Sequence, residues 1–272
     1  MLYVVCALPC EAKALHQYFQ LQRDTAIHAY QVFRSEKLTL IVSGVGKVNA
    51  ASAVGYLAGL QHAHNDIWLN IGVAGHATLE TGTLHVANRI IDAASQRAWY
   101  PHSALLAEYP QQTLSCVDSV VHDYPDDRLI DMESSGFTET CEKFSTLERI
   151  HCVKVISDNR QQAASNVDKD LVTQLIAQQC DTIAAIIERL QQQTSLPATN
   201  SETETLYAQL MKAQHFSQYQ SVQLADLLKR VATLGLLNDS LIHELNKQPG
   251  AKQILSHLQQ LIRQQHYQTV ND

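Results

Sequence analysis

The feature that most constrains this fold is the alternation of short apolar runs with helical patterns along residues 1–192. "LYVVCAL" and "DIWLNIGVAG" are rich in β-branched and aromatic residues, which predicts buried strands. "CEAKALHQYF" and "KVNAASAVGYLAGL" follow strands and place apolar or small residues at helical spacing. Because strands that alternate with helices build parallel sheets, we expect an α/β fold with a mainly parallel, twisted central sheet flanked by helices.

Further segments extend this pattern towards residue 192. "YQVFRSEKLTLIVSGVG" predicts a hairpin that turns at Ser35–Lys37, and "TLHVANRIIDAAS" predicts a pair of strands. "LIDMESSGFTETCEKF" runs from a strand into a helix, and "IHCVKVISD" is another strand. "DKDLVTQLIAQQCDTIAAIIERLQQQ" predicts one long amphipathic helix.

A change of composition at residues 194–204 divides the chain. This Ser-, Thr- and Pro-bearing stretch predicts a linker, and the pattern beyond it is purely helical. Leu224, Leu228 and Val231 share one helix face. The sequence therefore predicts an α/β domain over 1–193, a linker over 194–204 and an all-helical C-terminal extension over 205–272.

Charge and apolar patterning exclude several functions. The net charge of −7 argues against nucleic acid or an anionic membrane as a partner. No apolar run reaches the roughly 18 residues that a membrane helix needs. The first residues lack the basic region of a signal peptide, and we expect a cytoplasmic protein.

Cysteine and histidine spacing gives no metal motif. The six cysteines show no CxxC pair, and most lie in apolar stretches where a free thiol behaves as a small hydrophobe. His62 and His64 lie close together, but no carboxylate or cysteine completes a metal-binding set. His85 and His102 are interpreted as structural or exposed, so we expect neither a metal nor a cofactor.

Chemically useful residues follow five predicted strands. These positions are Glu11, Gly44–Gly46, Gly72–Gly75, Met132-Glu133 and Ser157-Asp158. Because the carboxyl ends of parallel strands meet at one edge of an open α/β sheet, and ligands bind there, the five positions predict a common site.

Each position also has a purely structural interpretation. Glu11 and Glu133 suit the first turn of a helix, where the helix dipole favours an acid. Asp158 suits an N-cap. "SGVGKVNAA" lacks the GxxxxGK[ST] spacing of a phosphate-binding loop, which makes Lys47 a surface residue rather than a phosphate ligand.

The order and spacing of the motifs together are more specific than any one of them. "ALPCEAKAL", "SGVGKVNAA", "NIGVAG", "DMESSG" and "KVISD" occur in the order seen in one family. Over residues 1–192 the sequence resembles the nucleoside phosphorylase/nucleosidase family, and most closely its methylthioadenosine/S-adenosylhomocysteine nucleosidase branch.

The resemblance implies cleavage of the N-glycosidic bond between a purine and a ribose-like sugar. Asp158 matches the acid that protonates the purine, and Glu11 matches the carboxylate that activates water. Glu133 matches the acid that holds the ribose hydroxyls, with the Met132 backbone beside it. The resemblance also implies a homodimer or higher homo-oligomer and a small-molecule nucleoside as the ligand.

The resemblance assigns further contacts to the substrate, at Leu8, Val73, Gly75, Val120, Val121, Met132, Glu133, Lys154 and Ser157. Several of these depart from the family pattern. Lys154 stands where nucleosidases carry an arginine that positions the water, and Val73 replaces a hydrogen-bonding serine. Val120 and Val121, with Tyr124 as an aromatic substitute, stand in a shortened base loop.

Three alternatives follow from these departures. Phosphorylases of the family hold phosphate with arginines, which the N-terminal strand here lacks, although Lys47 and Lys154 keep phosphorolysis open. The other two are a specialised nucleosidase that acts on an unusual nucleoside, and a nucleoside-binding or scaffold protein with a degenerate pocket. The joint presence of Glu11, Glu133 and Asp158 argues against a role in binding alone, and the lack of such arginines favours water as the nucleophile.

Overall fold

The computed structural model describes residues 1–61, 66–101, 104–121, 124, 127–193 and 201–269. The chain divides into two compact units, Met1–Gln193 and Thr194–Asp272. The first contains one sheet of ten strands: β1 (Leu2–Cys6), β2 (Gln22–Arg23), β3 (Gln31–Arg34), β4 (Leu38–Val42), β5 (Ile67–Gly75), β6 (Leu84–Asp92), β7 (Ala98–Trp99), β8 (Gln111–Cys116), β9 (Leu129–Asp131) and β10 (Ile150–Asp158). Its helices are α1 (Pro9–Tyr18), α2 (Lys47–Gln61), α3 (Ser134–Cys141), α4 (Lys169–Gln178) and α5 (Cys180–Gln193).

The centre of the sheet is parallel, as the sequence predicts. Strand β1 pairs in parallel with β4 on one side and with β5 on the other, and β5 pairs in parallel with β10. All five residues of β1 are buried, because helices cover both faces. One face packs on α1, α4 and α5, and the other on α2 and α3.

The whole sheet is mixed and partly closed, which corrects the prediction of a mainly parallel sheet. Five of its ten strand pairings are antiparallel. Strands β5, β10, β6, β8 and β9 form a ring, because β9 pairs back to β5. Strand β6 pairs with both β10 and β8, and its pairing with β8 contains a register shift between Ala87 and Arg89, a bulge that bends the strand. Closure leaves these five strands without a free edge.

Two elements differ from their predicted form. The hairpin at Ser35–Lys37 forms as predicted, but "TLHVANRIIDAAS" is mostly the single bent strand β6. The long amphipathic segment breaks at Gln179 into α4 and α5. The Gln179 side chain donates to the carbonyl of Gly82 at 2.8 Å, a tertiary contact that the helical pattern does not reveal.

The second unit consists of four helices in its described part: α6 (Ser201–Ala213), α7 (Gln218–Thr233), α8 (Asp239–Asn246) and α9 (Ala251–Thr269). They enclose a core of their own that includes Leu224, Leu228 and Val231. Because α6 begins at Ser201, the last four positions of the predicted linker are helical; residues 194–200 lie outside the described part. Of the helices described, none has both the length and the apolar character needed to cross a bilayer.

Candidate active site

A cavity of about 310 Å³ opens where the carboxyl ends of β1, β5, β9 and β10 meet. Ten of the eleven residues predicted for the site line it: Leu8, Glu11, Val73, Gly75, Val120, Val121, Met132, Glu133, Ser157 and Asp158. The rule that ligand sites follow strand ends therefore brings together residues from five separate segments. Val120 is exposed at the rim, whereas the carboxyl-bearing residues are buried.

Glu11 connects the start of α1 to the end of β5. Its carboxylate accepts the backbone N–H of Leu8 at 2.8 Å and that of Val73 at 3.0 Å. The first contact is the helix-start role that the sequence also allowed, and the second belongs to the site. Burial raises the pKa of Glu11, while the charge of Lys154 and the two N–H donors oppose that rise.

Glu133 lies directly before α3, at the end of β9. Its Oε1 accepts the N–H of Gly46 at 2.7 Å, which ties it to the glycine turn between β4 and α2. Burial and the neighbouring Asp131 raise the pKa of Glu133 to about 7, against the opposing charge of Lys154.

Lys154 is the eleventh predicted residue, and the structure does not place it on the cavity wall. Its side chain is 1% exposed, and its Nζ lies 2.8 Å from Oδ2 of Asp131, whose side chain is equally buried. Asp131 also accepts the N–H and the hydroxyl of Ser134, at 3.0 and 2.6 Å. Asp131, Glu133 and the other buried charges outweigh desolvation and keep the pKa of Lys154 raised, so the ammonium stays charged.

Asp131 is a site residue whose role the sequence did not reveal. The available signal was a lysine inside the apolar strand "HCVKVI", since a buried ammonium needs an acidic partner. The lysine at 154 therefore lies inside the wall, where its charge favours the ionised forms of Glu11 and Glu133.

Asp158 ends β10 and is buried, although its carboxyl group reaches the cavity. Burial raises its pKa to about 6. The hydroxyl of Ser157 donates to Oδ1 at 2.5 Å, and the hydroxyl of Tyr124 donates to Oδ2. Tyr124, predicted as a substitute for a base-stacking aromatic, thus presents its hydroxyl to the acid.

The other predicted charges and histidines lie away from this arrangement. Lys47 pairs with Asp92 and, at 2.8 Å, with Asp118, beside α3. His85 is buried against Thr83. His62, His64 and His102 lie outside the described residues. Within the described ranges, no group of three His, Cys, Asp or Glu side chains could hold a metal ion.

Gly72 gives a direct test of the Glu11 geometry. A Cβ at position 72 would lie 2.7 Å from Oε1 of Glu11, so Gly72→Ala must push the carboxylate off the Val73 N–H. We expect turnover to fall about a hundredfold, since a displacement of 1 Å in a reacting group can cost that much. Gly55→Ala is the control, because nothing lies within 4 Å of its Cβ; it should keep full activity and stabilise α2 by up to about 1 kcal/mol. Equal activities of the two variants would contradict the placement of Glu11.

Comparison with known proteins identifies the fold. No known family model and no curated protein sequence matches this chain. Among solved structures, it is similar to 5′-methylthioadenosine/S-adenosylhomocysteine nucleosidase from S. pneumoniae in complex with the transition-state inhibitor MT-ImmA. The sequence identity is 16% and the TM-score is 0.58, over 70% of this chain and 99% of the other. The apo 5′-methylthioadenosine nucleosidase of Arabidopsis thaliana is similar at 17% identity and a TM-score of 0.60, over 70% and 95%.

A futalosine hydrolase of Helicobacter pylori is similar at 13% identity and a TM-score of 0.58, over 69% of this chain and 97% of the other. The chain therefore has the fold of these nucleosidases, which confirms the fold that the sequence resemblance implied. At such identities the likeness establishes the fold alone.

Proposed function

We propose that this protein hydrolyses the N-glycosidic bond of a purine nucleoside of the methylthioadenosine/S-adenosylhomocysteine kind. One observation carries the proposal: three buried carboxyl groups, on Glu11, Glu133 and Asp158, reach a single cavity from three different strand ends. The nucleosidase fold supports the same reading. A protein that only bound a nucleoside would not need three desolvated acids with raised pKa values.

Asp158 supplies the proton for the leaving group. As the bond between C1′ and the purine breaks, its electron pair goes to the base, and the Asp158 proton goes to N7 of that base. A carboxyl group with a pKa of about 6 is protonated often enough near neutral pH to act as this acid. The apolar lining of the cavity, which includes Val117 and Ile130, supports that state.

Glu11 activates the attacking water. The N–H groups of Leu8 and Val73 hold its carboxylate in one orientation, and Lys154 favours its ionised form. As the water oxygen bonds to C1′, its proton passes to Glu11, and the products are a free purine and a sugar with a 1-hydroxyl group. Because the side chain of Val73 cannot form hydrogen bonds, it cannot help Glu11 to position the water.

Glu133 holds the sugar. A carboxylate whose pKa is raised to about 7 by burial gains from hydroxyl donors, and two ribose hydroxyls supply them. The N–H of Gly46 fixes one of its oxygens, and Met132 lies beside it on the cavity wall. Elsewhere Ala164, Val167 and Val172 make the wall apolar, which suits a thioether substituent at the 5′ position.

Water is favoured over phosphate as the nucleophile by the charges around the cavity. The two lysines that left phosphorolysis open are both in ion pairs. Lys47 pairs with Asp92 and Asp118, and Lys154 pairs with Asp131. Lys169 is the single lysine or arginine among the described residues of the wall, against five acids. A phosphate dianion would therefore lack compensating charge.

The purified full-length protein should be incubated with methylthioadenosine, S-adenosylhomocysteine, adenosine and inosine, each with and without phosphate. We expect release of free base without phosphate, and loss of that release in Glu11→Gln. Phosphate-dependent release together with a sugar 1-phosphate would establish a phosphorylase instead. If the base of none of the four nucleosides is released, the proposal is wrong. The homo-oligomeric state and the cytoplasmic location stay predictions.

A further inference from the structure

The strongest unassigned feature of the cavity is the contact between Tyr124 and the candidate acid. Tyr124 is 3% exposed, and its hydroxyl donates to Oδ2 of Asp158. The hydroxyl of Ser157 donates to the other oxygen, Oδ1, at 2.5 Å. Each oxygen of this carboxyl group therefore has its own hydroxyl partner, and rotation of the carboxyl plane would break both hydrogen bonds.

The backbone provides space for this contact at one position. A Cβ on Gly75 would lie 2.7 Å from Oδ2 of Asp158 and 2.7 Å from the hydroxyl oxygen of Tyr124. Real Cβ atoms do not approach other heavy atoms so closely, so any residue but glycine at position 75 would force one or both of these side chains to shift. The end of β5 is thus shaped around the two side chains together.

Further contacts attach the Tyr124 region to the strand ends. Nη2 of Arg160, two residues beyond Asp158, donates to the Tyr124 carbonyl at 2.6 Å. Nδ1 of His76 accepts the N–H groups of Thr78 and Leu79, both at 3.0 Å, which leaves the ring proton on Nε2. Nε2 lies 2.9 Å from Oδ1 of Asp127. Arg160 therefore holds the Tyr124 backbone close to the end of β10.

We propose that Tyr124 is a positioning residue for the proton donor: its hydroxyl fixes the plane of the Asp158 carboxyl group and the direction in which that group presents its proton. The inference rests on the proposed function. It assigns to Tyr124 a role through Asp158, in place of stacking on the base, and it makes Gly75 a requirement of that role.

The Tyr124 hydroxyl should also affect the pH at which Asp158 loses its proton. The groups packed around Asp158 are Ser157, Tyr124 and, beyond Gly75, His76 with Asp127; Arg160 binds the Tyr124 backbone, and Glu11 and Glu133 lie on the same cavity. Burial raises the pKa of Asp158, and a hydroxyl that donates to the ionised carboxylate opposes that rise. Removal of the hydroxyl should therefore raise the pKa further.

The test is Tyr124→Phe, which keeps the ring and removes the hydroxyl. The carboxyl carbon of Asp158 would be followed by NMR against pH in protein with ¹³C-labelled aspartate, assigned with Asp158→Asn. We expect the Asp158 pKa to rise by about one unit from its value in the unaltered protein. In the nucleosidase assay, the alkaline limb of kcat/KM should move upward equally, because the acid must be protonated to act.

Tyr18→Phe is the matched control, since it removes a tyrosine-to-aspartate hydrogen bond of 2.6 Å to Asp181 on the surface. It should shift neither the NMR titration nor the pH profile. Gly75→Ala should also alter the Asp158 titration, because its Cβ displaces the same two side chains. An unchanged Asp158 titration in Tyr124→Phe would overturn the inference even if the protein is an active nucleosidase. Since the titration needs no turnover, an inactive parent protein would refute the proposed function separately.

Discussion

Asp158→Asn should reduce turnover of methylthioadenosine by about a hundred- to ten-thousand-fold while binding of that nucleoside is largely retained. Asparagine has almost the same shape. Its amide oxygen can still accept the hydrogen bond that the Ser157 hydroxyl donates to Oδ1 of Asp158 in the unaltered protein. It cannot supply a proton at any accessible pH, so the purine must leave without protonation. Calorimetric titration measures binding, and chromatography of the released base measures turnover.

The matched control for this prediction is Asp168→Asn. Asp168 lines the same cavity, but its side chain accepts the N–H of Leu171 at 2.8 Å and caps α4. Asparagine caps a helix about as well as aspartate, so this variant should keep its activity. If the two substitutions lowered turnover equally, or if Asp158→Asn left it intact, Asp158 would not be the acid.

The different roles proposed for Glu11 and Asp158 agree with their different surroundings. Glu11 has two N–H donors and feels the charge of Lys154, which opposes the effect of its burial. For Asp158, desolvation is the cause of the rise in pKa to about 6. Two carboxyl groups in one cavity can therefore serve as base and acid at one pH, because their environments differ.

Sequence patterns predicted the strands and the site for a shared physical reason. A strand buried on both faces is a continuous apolar run, so β1, β5 and β10 can be predicted from their own short segments of sequence. The carboxyl ends of such strands converge, which predicted that Glu11, Met132 and Ser157 would line one cavity. Ring closure through β6 and β9 was not predicted, because it depends on pairings between distant segments and on a bulge within a strand.

Tyr124 and Lys154 show where local reasoning ends. The family resemblance implied an aromatic near the base and a basic group near the water. The contact of Tyr124 with Asp158 depends on the space beside Gly75, and the contact of Lys154 depends on Asp131, which lies on a different strand. Such contacts follow from tertiary packing, which the spacing of motifs does not encode.

Lys154→Met is expected to have the largest effect on stability. Lys154 and Asp131 are both 1% exposed in their side chains and lie 2.8 Å apart, so removal of the ammonium leaves a buried carboxylate without its cation. Breaking such a pair costs about 3–5 kcal/mol in the free energy of unfolding. Glu11 and Glu133 lose the same stabilising charge, which raises their pKa values and should also abolish activity.

Urea unfolding followed by tryptophan fluorescence measures the stability of the first structural unit, Met1–Gln193, because both tryptophans, Trp68 and Trp99, lie in it. Arg189→Met breaks the exposed pair with Glu108 and should cost less than about 1 kcal/mol. The double variant Lys154→Met/Asp131→Asn should be more stable than Lys154→Met alone, since it removes the unpaired carboxylate. A loss in Lys154→Met no greater than that in Arg189→Met would show that the lysine does not hold the acids of the cavity together.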